Sequence, residues 1–192
     1  MTRRISGSAS AIAMLLAAAG CAATTKVDRA AGDGLYLCRG VGVSNAPPTD
    51  SRLRVVTFRT VVRPRGRMLA TAPVAGCLSS GFGDRRGGAG VRHDGIDLST
   101  NGADAIRAAG DGRIAAVSRL RGYGLTVDID HGSGVMTRYA HLSRVADGIE
   151  TGARTPAGAV IGFTGRSGNA TGVHLHYEIR LDGRPVDPLS LD

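Results

Sequence analysis

The chain has 192 residues, a formal net charge of +8, three cysteines, no tryptophan and 4% aromatic residues. This length suits one domain of ordinary size and a shorter segment. No basic cluster alternates with stacking aromatics, which excludes a typical single-strand nucleic-acid binder, so the basic surface is expected to face acidic envelope polymers.

The first 21 residues have the features of an export signal. Arg3 and Arg4 precede a short apolar run, and small residues then lead to Cys21. The run is shorter than the roughly 20 residues that a membrane-spanning helix needs. Gly20 and Cys21 resemble a bacterial lipoprotein box, in which the cysteine is acylated. We therefore predict an exported envelope protein that faces the periplasm and has a lipid on Cys21, with a plain secretory signal as the alternative.

Residues 22–72 are rich in glycine and proline, which predicts a mobile tether or arm with one edge strand between residues 52 and 63. If Cys21 carries a lipid, Cys38 and Cys77 remain as a pair in an oxidising compartment. A disulfide between them would tie the arm to the main domain, whereas two free thiols are the alternative.

From residue 73 to residue 192 the pattern is that of an all-β domain, with short β-branched segments between glycine-containing turns. No amphipathic helix is predicted there. His131 falls in the expected turn of a hairpin and is assigned to turn structure. The predicted strands are residues 112–117, the hairpin strands 125–130 and 135–142 around the turn 131–134, and residues 160–164 and 173–181.

Five histidines occur in the chain, and two of them stand on the last predicted strand. Period-two geometry sends His174, His176 and Glu178 to one face of that strand and its apolar residues to the other. Two imidazoles on one face are typical of a metal site, although neighbouring histidines also occur on solvated sheets.

Two other segments contribute candidate ligands. In RHDGIDLS, a loop is expected to place His93 and the strand that follows to place Asp97. By strict alternation His141 shares a face with Tyr139 on the returning hairpin strand, and it joins the others if that strand neighbours residues 173–181. Imidazole nitrogen and carboxylate oxygen suit zinc, which in hydrolytic sites keeps one position open for water. The histidines therefore predict one zinc ion.

The motifs of residues 73–189 together resemble the lysostaphin-type (LytM) zinc metalloendopeptidases that cut peptide bonds in bacterial peptidoglycan. The motifs occur in the order of that family: SGFGDRR (80–86), RHDGIDLS (92–99), AAGDGRI (108–114), GYGLTVDIDHGSG (122–134), RYAHLS (138–143), GVHLHYEIR (172–180) and GRPVDPL (183–189). The resemblance implies an antiparallel β-fold of the duplicated hybrid motif kind with an open groove, in agreement with the strand prediction.

By the same resemblance, His93, Asp97 and His176 hold zinc, while His141 and His174 line the site as catalytic residues. Zinc lowers the pKa of a bound water and polarises the scissile carbonyl. No HExxH glutamate is present, so one of the two catalytic histidines takes the proton or holds the oxyanion, and their roles stay undivided. Glu178 either steadies a ligand imidazole through its second nitrogen or is a solvated carboxylate at the rim.

Two alternatives to a peptidase remain at this stage. One is a non-catalytic LytM-like regulator that binds and activates a cell-wall amidase, and the other is an envelope lipoprotein with a structural metal. In some relatives an N-terminal segment covers the groove, so Asn45 or Asp50 could supply an extra ligand here, although the arm could equally be a spacer. The expected partners are peptidoglycan and, through the lipid, a membrane, but not nucleic acid. The motifs do not identify the peptide bond that is cut.

Overall fold

The computed structural model describes residues 34–84 and 92–192. Within these ranges the protein is nearly all β, with one 3-10 turn at Pro64–Gly66 and no α-helix, which confirms the predicted fold class. No helix in the described ranges has the length and apolar character needed to cross a membrane. The export-signal prediction and Cys21 lie outside the described residues.

The strands are short at both ends of the chain and long in the middle. In chain order they are β1 (Val61–Val62), β2 (Leu69–Ala70), β3 (Cys77–Ser80), β4 (Gly83–Asp84), β5 (Arg92–His93), β6 (Ile96–Ser99), β7 (Ala105–Arg107), β8 (Gly112–Leu120), β9 (Gly124–Gly132), β10 (Val135–Leu142), β11 (Arg144–Val145), β12 (Arg154–Thr155), β13 (Val160–Phe163), β14 (His174–Leu181) and β15 (Arg184–Val186).

An eight-stranded antiparallel sheet forms the body of the protein. Its order is β12-β8-β9-β10-β14-β6-β3, and β15 also pairs with β14. A three-stranded sheet in the order β11-β13-β7 and two strand pairs, β1-β2 and β4-β5, complete the architecture. Strand β14 therefore lies between β10 on one side and β6 and β15 on the other, at the centre of the surface that carries the histidines.

The period-two pattern of β14 divides its residues between the core and the opposite face, as predicted. Leu175, Tyr177 and Ile179 are fully buried in the hydrophobic core, whereas His174 and His176 point away from it. The burial of apolar side chains on one face thus fixes the register that presents both imidazoles on the other.

The predicted hairpin is confirmed: β10 has the predicted bounds, whereas β9 is longer than predicted and the turn is shorter. The turn consists of Ser133 and Gly134, which both have positive φ, and Val135 pairs with Gly132. Positive φ at both positions is the requirement of a type I′ turn, which glycine meets without strain. The assignment of His131 to the turn is wrong, because this residue lies in β9 and is only 5% exposed.

Residues 34–72 pack against the main sheet rather than standing apart from it. Leu35, Val55, Val62 and Leu69 belong to the same buried cluster as the sheet residues. The mobile tether that we expected is therefore not seen over this range, because its scattered apolar residues are buried. The strand expected between residues 52 and 63 is reduced to β1, and the division of the chain at residue 73 stays a prediction.

A disulfide joins the arm to the edge of the main sheet. Cys38 and Cys77 are bonded, with their Cα atoms 4.9 Å apart and a sequence separation of 39. Of the two alternatives that the sequence left open, the structure has the disulfide.

We expect the double substitution Cys38→Ser, Cys77→Ser to lower the free energy of unfolding by about 2–4 kcal/mol, because the bond restricts the unfolded chain. Urea unfolding with and without a reductant measures the effect. The reductant should destabilise the wild-type protein and leave the double variant unchanged. Equal midpoints for both proteins without reductant would contradict this expectation.

His131 makes the stability of the fold depend on pH. Burial lowers the pKa of His131 below its ordinary value of 6.5, and the carbonyl of Asp111, which accepts a hydrogen bond from Nδ1, opposes this only in part. As the pH falls below 6.5, His131 binds a proton in the unfolded chain but not in the folded protein, so the free energy of unfolding decreases. The contribution of His131 to stability is fully present above pH 6.5 and is lost as the pH approaches the folded-state pKa.

We therefore expect the urea midpoint to fall between about pH 7.5 and about pH 5, and to fall less in His131→Gln, which lacks this titration. Unfolding curves of both proteins at the two pH values test it. The same decrease in both proteins would show that other groups cause the pH dependence.

Candidate metal centre

Three side-chain atoms meet on the face of the main sheet that is turned away from the hydrophobic core. His93 Nε2 lies 3.0 Å from Asp97 Oδ1 and 3.0 Å from His176 Nδ1, and the last two atoms are 2.9 Å apart. All three residues are buried, and they form the one group of potential metal ligands found among the described residues. The structure thus brings together the three residues that the resemblance named as zinc ligands.

Strand pairing explains how two of these side chains meet. Asp97 of β6 and His176 of β14 are directly opposite each other in the antiparallel ladder. Directly opposed side chains on one face have Cβ atoms about 4.5–5.5 Å apart, so the side chains of Asp97 and His176 lie next to each other.

His93 reaches the same point through a tight return of the chain between β5 and β6. Gly95 lies in this return, where a Cβ atom would come within 2.2 Å of the carbonyl oxygen of Tyr177. Glycine at this position lets the loop approach β14 closely, as the expected loop-to-strand placement of His93 and Asp97 requires.

The outer nitrogens of both ligand imidazoles are bound to acceptors. His93 Nδ1 donates to the carbonyl oxygen of Gly81 at 2.7 Å, and His176 Nε2 donates to Glu178 Oε1 at 3.1 Å. A carbonyl or carboxylate oxygen cannot donate, so these nitrogens carry the protons of the neutral rings. His93 Nε2 and His176 Nδ1 then present lone pairs to each other and to Asp97.

Three converging lone pairs repel one another unless a positive charge lies between them. Bond lengths of about 2.0–2.2 Å at a tetrahedral zinc ion separate its ligand atoms by roughly 3.3 Å, close to the separations found here. Two imidazole nitrogens and one carboxylate oxygen are also a ligand set of catalytic zinc sites. The donor chemistry and the spacing therefore fit zinc.

The carboxylates beside His176 favour its protonated ring. Burial alone would lower the pKa of His176, but hydrogen bonds to Asp97 and Glu178 outweigh it and raise the pKa to about 9. Burial opposes ionisation of Asp97, yet its contacts with His176 and His93 hold its pKa well below the usual value.

Glu178 is completely buried and sits behind His176. Its second oxygen accepts a hydrogen bond from Arg180 Nη1 at 2.7 Å. Burial raises the pKa of Glu178, but interactions with His176, Tyr123 and Arg180 together lower it, so the carboxylate stays ionised. Of the two alternatives for Glu178, the structure has the hydrogen bond to the second nitrogen of a ligand imidazole.

Tyr123 and Arg138 support the site, and the sequence analysis did not single out either residue. The centre of the Tyr123 ring lies 5.4 Å from that of the His176 ring, and the guanidinium of Arg138 lies over the Tyr123 ring, 5.1 Å from its centre. Two hydrogen bonds of 2.9 Å and 2.7 Å fix Arg138 to Asp128. Burial and the charge of Glu178 raise the pKa of Tyr123 to about 12, which keeps its hydroxyl a donor. The GYG motif was the only sequence signal that could have indicated Tyr123.

His141 reaches the site through a β-bulge and not through strict alternation. Tyr139 pairs with Val127 and Leu142 pairs with Leu125, so β10 has one extra residue at this point. His141 has a φ of 61°, and its ring lies 4.7 Å from that of His174. The expectation that His141 shares a face with Tyr139 is wrong, because the bulge returns Leu142 to the core and turns His141 outward.

His141 and His174 are held in the same way. Nδ1 of His141 donates to the carbonyl of Ser167 at 2.8 Å, and Nδ1 of His174 donates to the carbonyl of Gly172 at 2.9 Å. In the neutral rings Nε2 therefore carries the lone pair. Nε2 of His174 lies 3.8 Å from Asp97 Oδ1, at the edge of the ligand group.

These side chains line a groove of about 340 Å³. Four of the five histidines contribute to it, as the sequence predicted, and His131 does not. The lining residues are Arg92, His93, Asp94, Asp97, Gly122, Tyr123, His141, Asn169, Thr171, His174 and His176.

The two arm residues considered as an extra ligand are bound elsewhere. Asn45 Nδ2 donates to the carbonyl of Gly83 at 3.0 Å, and Asp50 Oδ1 accepts from the backbone N–H groups of Arg52 and Arg54. Neither residue lines the groove. The hypothesis of a metal ligand from the arm finds no support in the described residues.

We expect Glu178→Gln to weaken zinc binding about 10–100-fold, because the neutral amide is a poorer acceptor for His176 Nε2–H and leaves Arg180 without its partner charge. Competition with a chromophoric chelator measures the affinity. Glu150→Gln, at an exposed glutamate, is the matched control and should bind zinc as the wild type does. An unchanged affinity in Glu178→Gln would contradict the role of this carboxylate.

Comparison with protein families places this site in a known group. Residues 91–188 match the model described as Peptidase family M23. Among solved structures, the chain is similar to a zinc containing peptidase from Vibrio cholerae, with a TM-score of 0.59 and 29% identity over 69% of this chain and 46% of that one.

Two curated relatives have different roles in their names. The chain is 44% identical over 99 residues to the DD-carboxypeptidase/endopeptidase Mpg of Neisseria meningitidis serogroup B, and this match covers 52% of this chain and 22% of the relative. It is 32% identical over 143 residues to the Murein hydrolase activator EnvC of Escherichia coli, and this match covers 73% of this chain and 33% of the relative. The matched region thus spans a third or less of either relative.

Proposed function

The chain belongs to Peptidase family M23, and on this basis we propose that it is a zinc-dependent endopeptidase that hydrolyses peptide cross-links or stem peptides of bacterial peptidoglycan. The observation that carries the proposal is the convergence of His93, Asp97 and His176 in a groove that two further imidazoles face. The name of the relative Mpg supports the reaction type, and that of the Vibrio cholerae neighbour supports the metal.

Zinc held by His93, Asp97 and His176 would supply Lewis acidity, which acidifies a water molecule and polarises the scissile carbonyl. The protein supplies the proton chemistry through His141 and His174. Their Nδ1 protons are committed to backbone carbonyls, so each Nε2 can accept a proton from the attacking water and return it to the leaving amine.

His141 is suited to the role of base. Burial lowers its pKa, and the hydrogen bond to the carbonyl of Ser167 opposes this only in part, so the ring is neutral at neutral pH. The bulge and this hydrogen bond fix its orientation. His174 lies nearer to the ligand group and is placed to hold the developing oxyanion once it is protonated.

The second candidate is a regulator without catalytic activity that binds and activates a cell-wall amidase. The relative EnvC, named as an activator, motivates it. The complete ligand group and the two oriented imidazoles favour the peptidase, because a regulator has no need of converging lone pairs.

We further propose that the protein acts in the cell envelope, anchored by a lipid on Cys21. This proposal rests on the sequence of the first 21 residues alone. The substrate would be reached from the periplasmic side, with peptidoglycan as the partner and no role for nucleic acid.

Purified protein loaded with zinc should release peptide fragments from peptidoglycan, as measured by mass spectrometry of the products. His176→Ala should release none, because the ligand group is incomplete. We expect His141→Ala to bind zinc normally and to be slower by about 10²–10⁴-fold, which is the usual contribution of a general base. A chelator should abolish wild-type activity, and added zinc should restore it.

His131→Gln is the matched control, since it removes a buried histidine outside the groove, and it should retain activity under conditions where it is folded. Full turnover in His141→Ala would refute the role given to this residue. A zinc-loaded protein that releases no fragments but stimulates a purified amidase would favour the regulator.

A further inference from the structure

A second cavity of about 420 Å³ continues the metal groove towards the arm. The two cavities share Asp97, Thr171 and His174, so a chain lying in one can extend into the other. The outer wall of this second cavity is the arm loop, which we define as residues 38–44 and which contributes Val41, Gly42 and Ser44.

Contacts at both ends hold the arm loop against β3, the edge strand of the main sheet. At one end Cys38 is bonded to Cys77, and its N–H donates to the carbonyl of Leu78 at 3.0 Å. At the other end the carbonyl of Ser44 accepts the N–H of Gly81 at 2.7 Å. The loop between these points is therefore a fixed wall and not a free strand end.

The lining of the second cavity is polar and without charge apart from the residues shared with the metal groove. It includes the side chains of Ser44, Ser99 and Thr171, whose hydroxyls make no hydrogen bond within the described part of the chain. Val41 adds an apolar side chain that is 57% exposed. Free hydroxyls beside an exposed apolar surface suit the N–H and C=O groups and small side chains of an uncharged peptide.

We propose that the arm loop forms a substrate subsite that binds an extended, uncharged stretch of the peptide on one side of the scissile bond. The inference rests on the proposed function, and it adds a specificity-determining segment to it. Residues 38–44 lie outside the part of the chain that matches the family model, residues 91–188. The arm loop therefore adds a wall from outside the matched residues to a cavity whose other side, including Ser99 and Thr171, lies within them.

Gly42→Trp tests the subsite, since Gly42 lines the cavity and an added Cβ at this position meets no atom within 4 Å, so a large side chain can be accommodated at the wall. Gly102→Trp is the matched control, because Gly102 is equally free of neighbours and lines neither cavity. For a soluble cross-linked stem-peptide dimer we expect Gly42→Trp to raise KM about tenfold with kcat within about twofold. The control should leave both unchanged.

A second pair of variants repeats the test without a bulky ring. Val41→Asp places a charge at the wall, and Val56→Asp does so at an arm valine that is 54% exposed and does not line this cavity. Val41→Asp should raise KM and Val56→Asp should not. Unchanged KM values in both Gly42→Trp and Val41→Asp overturn the subsite, while hydrolysis itself still supports the proposed function.

Binding of the same dimer to zinc-loaded His141→Ala, measured by calorimetry, separates the two proposals. If the wild type does not hydrolyse the dimer but Gly42→Trp in the His141→Ala background weakens binding about tenfold, the proposed function fails and the subsite stands. Absence of binding to the His141→Ala protein overturns the subsite.

Discussion

The structure depends on holding three lone pairs within 3.0 Å of one another. The three atoms repel one another. They stay together because the outer ring nitrogens of His93 and His176 are hydrogen-bonded to Gly81 and Glu178. Cross-strand pairing of Asp97 with His176 leaves these side chains no other place. The strand pairing in the sheet therefore overcomes the repulsion, and a bound cation would remove it.

The charges around the centre favour a bound cation. Asp97, Glu178 and Asp128 are negative, whereas Arg138 and Arg180 are positive, so this group carries an excess of one negative charge when the imidazoles are neutral. The excess explains why the pKa of His176 rises to about 9 despite burial, because a proton on that ring restores neutrality. Zinc would take the same place, and the carboxylates around it are already ionised at neutral pH.

The elements that the sequence predicts are those with a regular period. Apolar and polar residues alternate regularly along β14, so the face of His174 and His176 could be predicted. The bulge at His141 could not, because one extra residue reverses the parity of a strand without changing its composition. The burial of the arm was missed for a related reason. Its core residues, such as Leu35 and Val55, are scattered through turns and show no period.

The arm and the metal centre are linked through one residue of the loop that follows β3. The N–H of Gly81 donates to the carbonyl of Ser44 in the arm, and the carbonyl of Gly81 accepts the Nδ1 proton of His93. Gly81 lies outside the matched residues 91–188, although every ligand atom lies within them. The matched domain thus supplies the three potential ligand atoms, while a preceding residue orients one of them. Since the same arm loop also walls the second cavity, one segment contacts both the residue that orients His93 and the cavity that we propose as a substrate subsite.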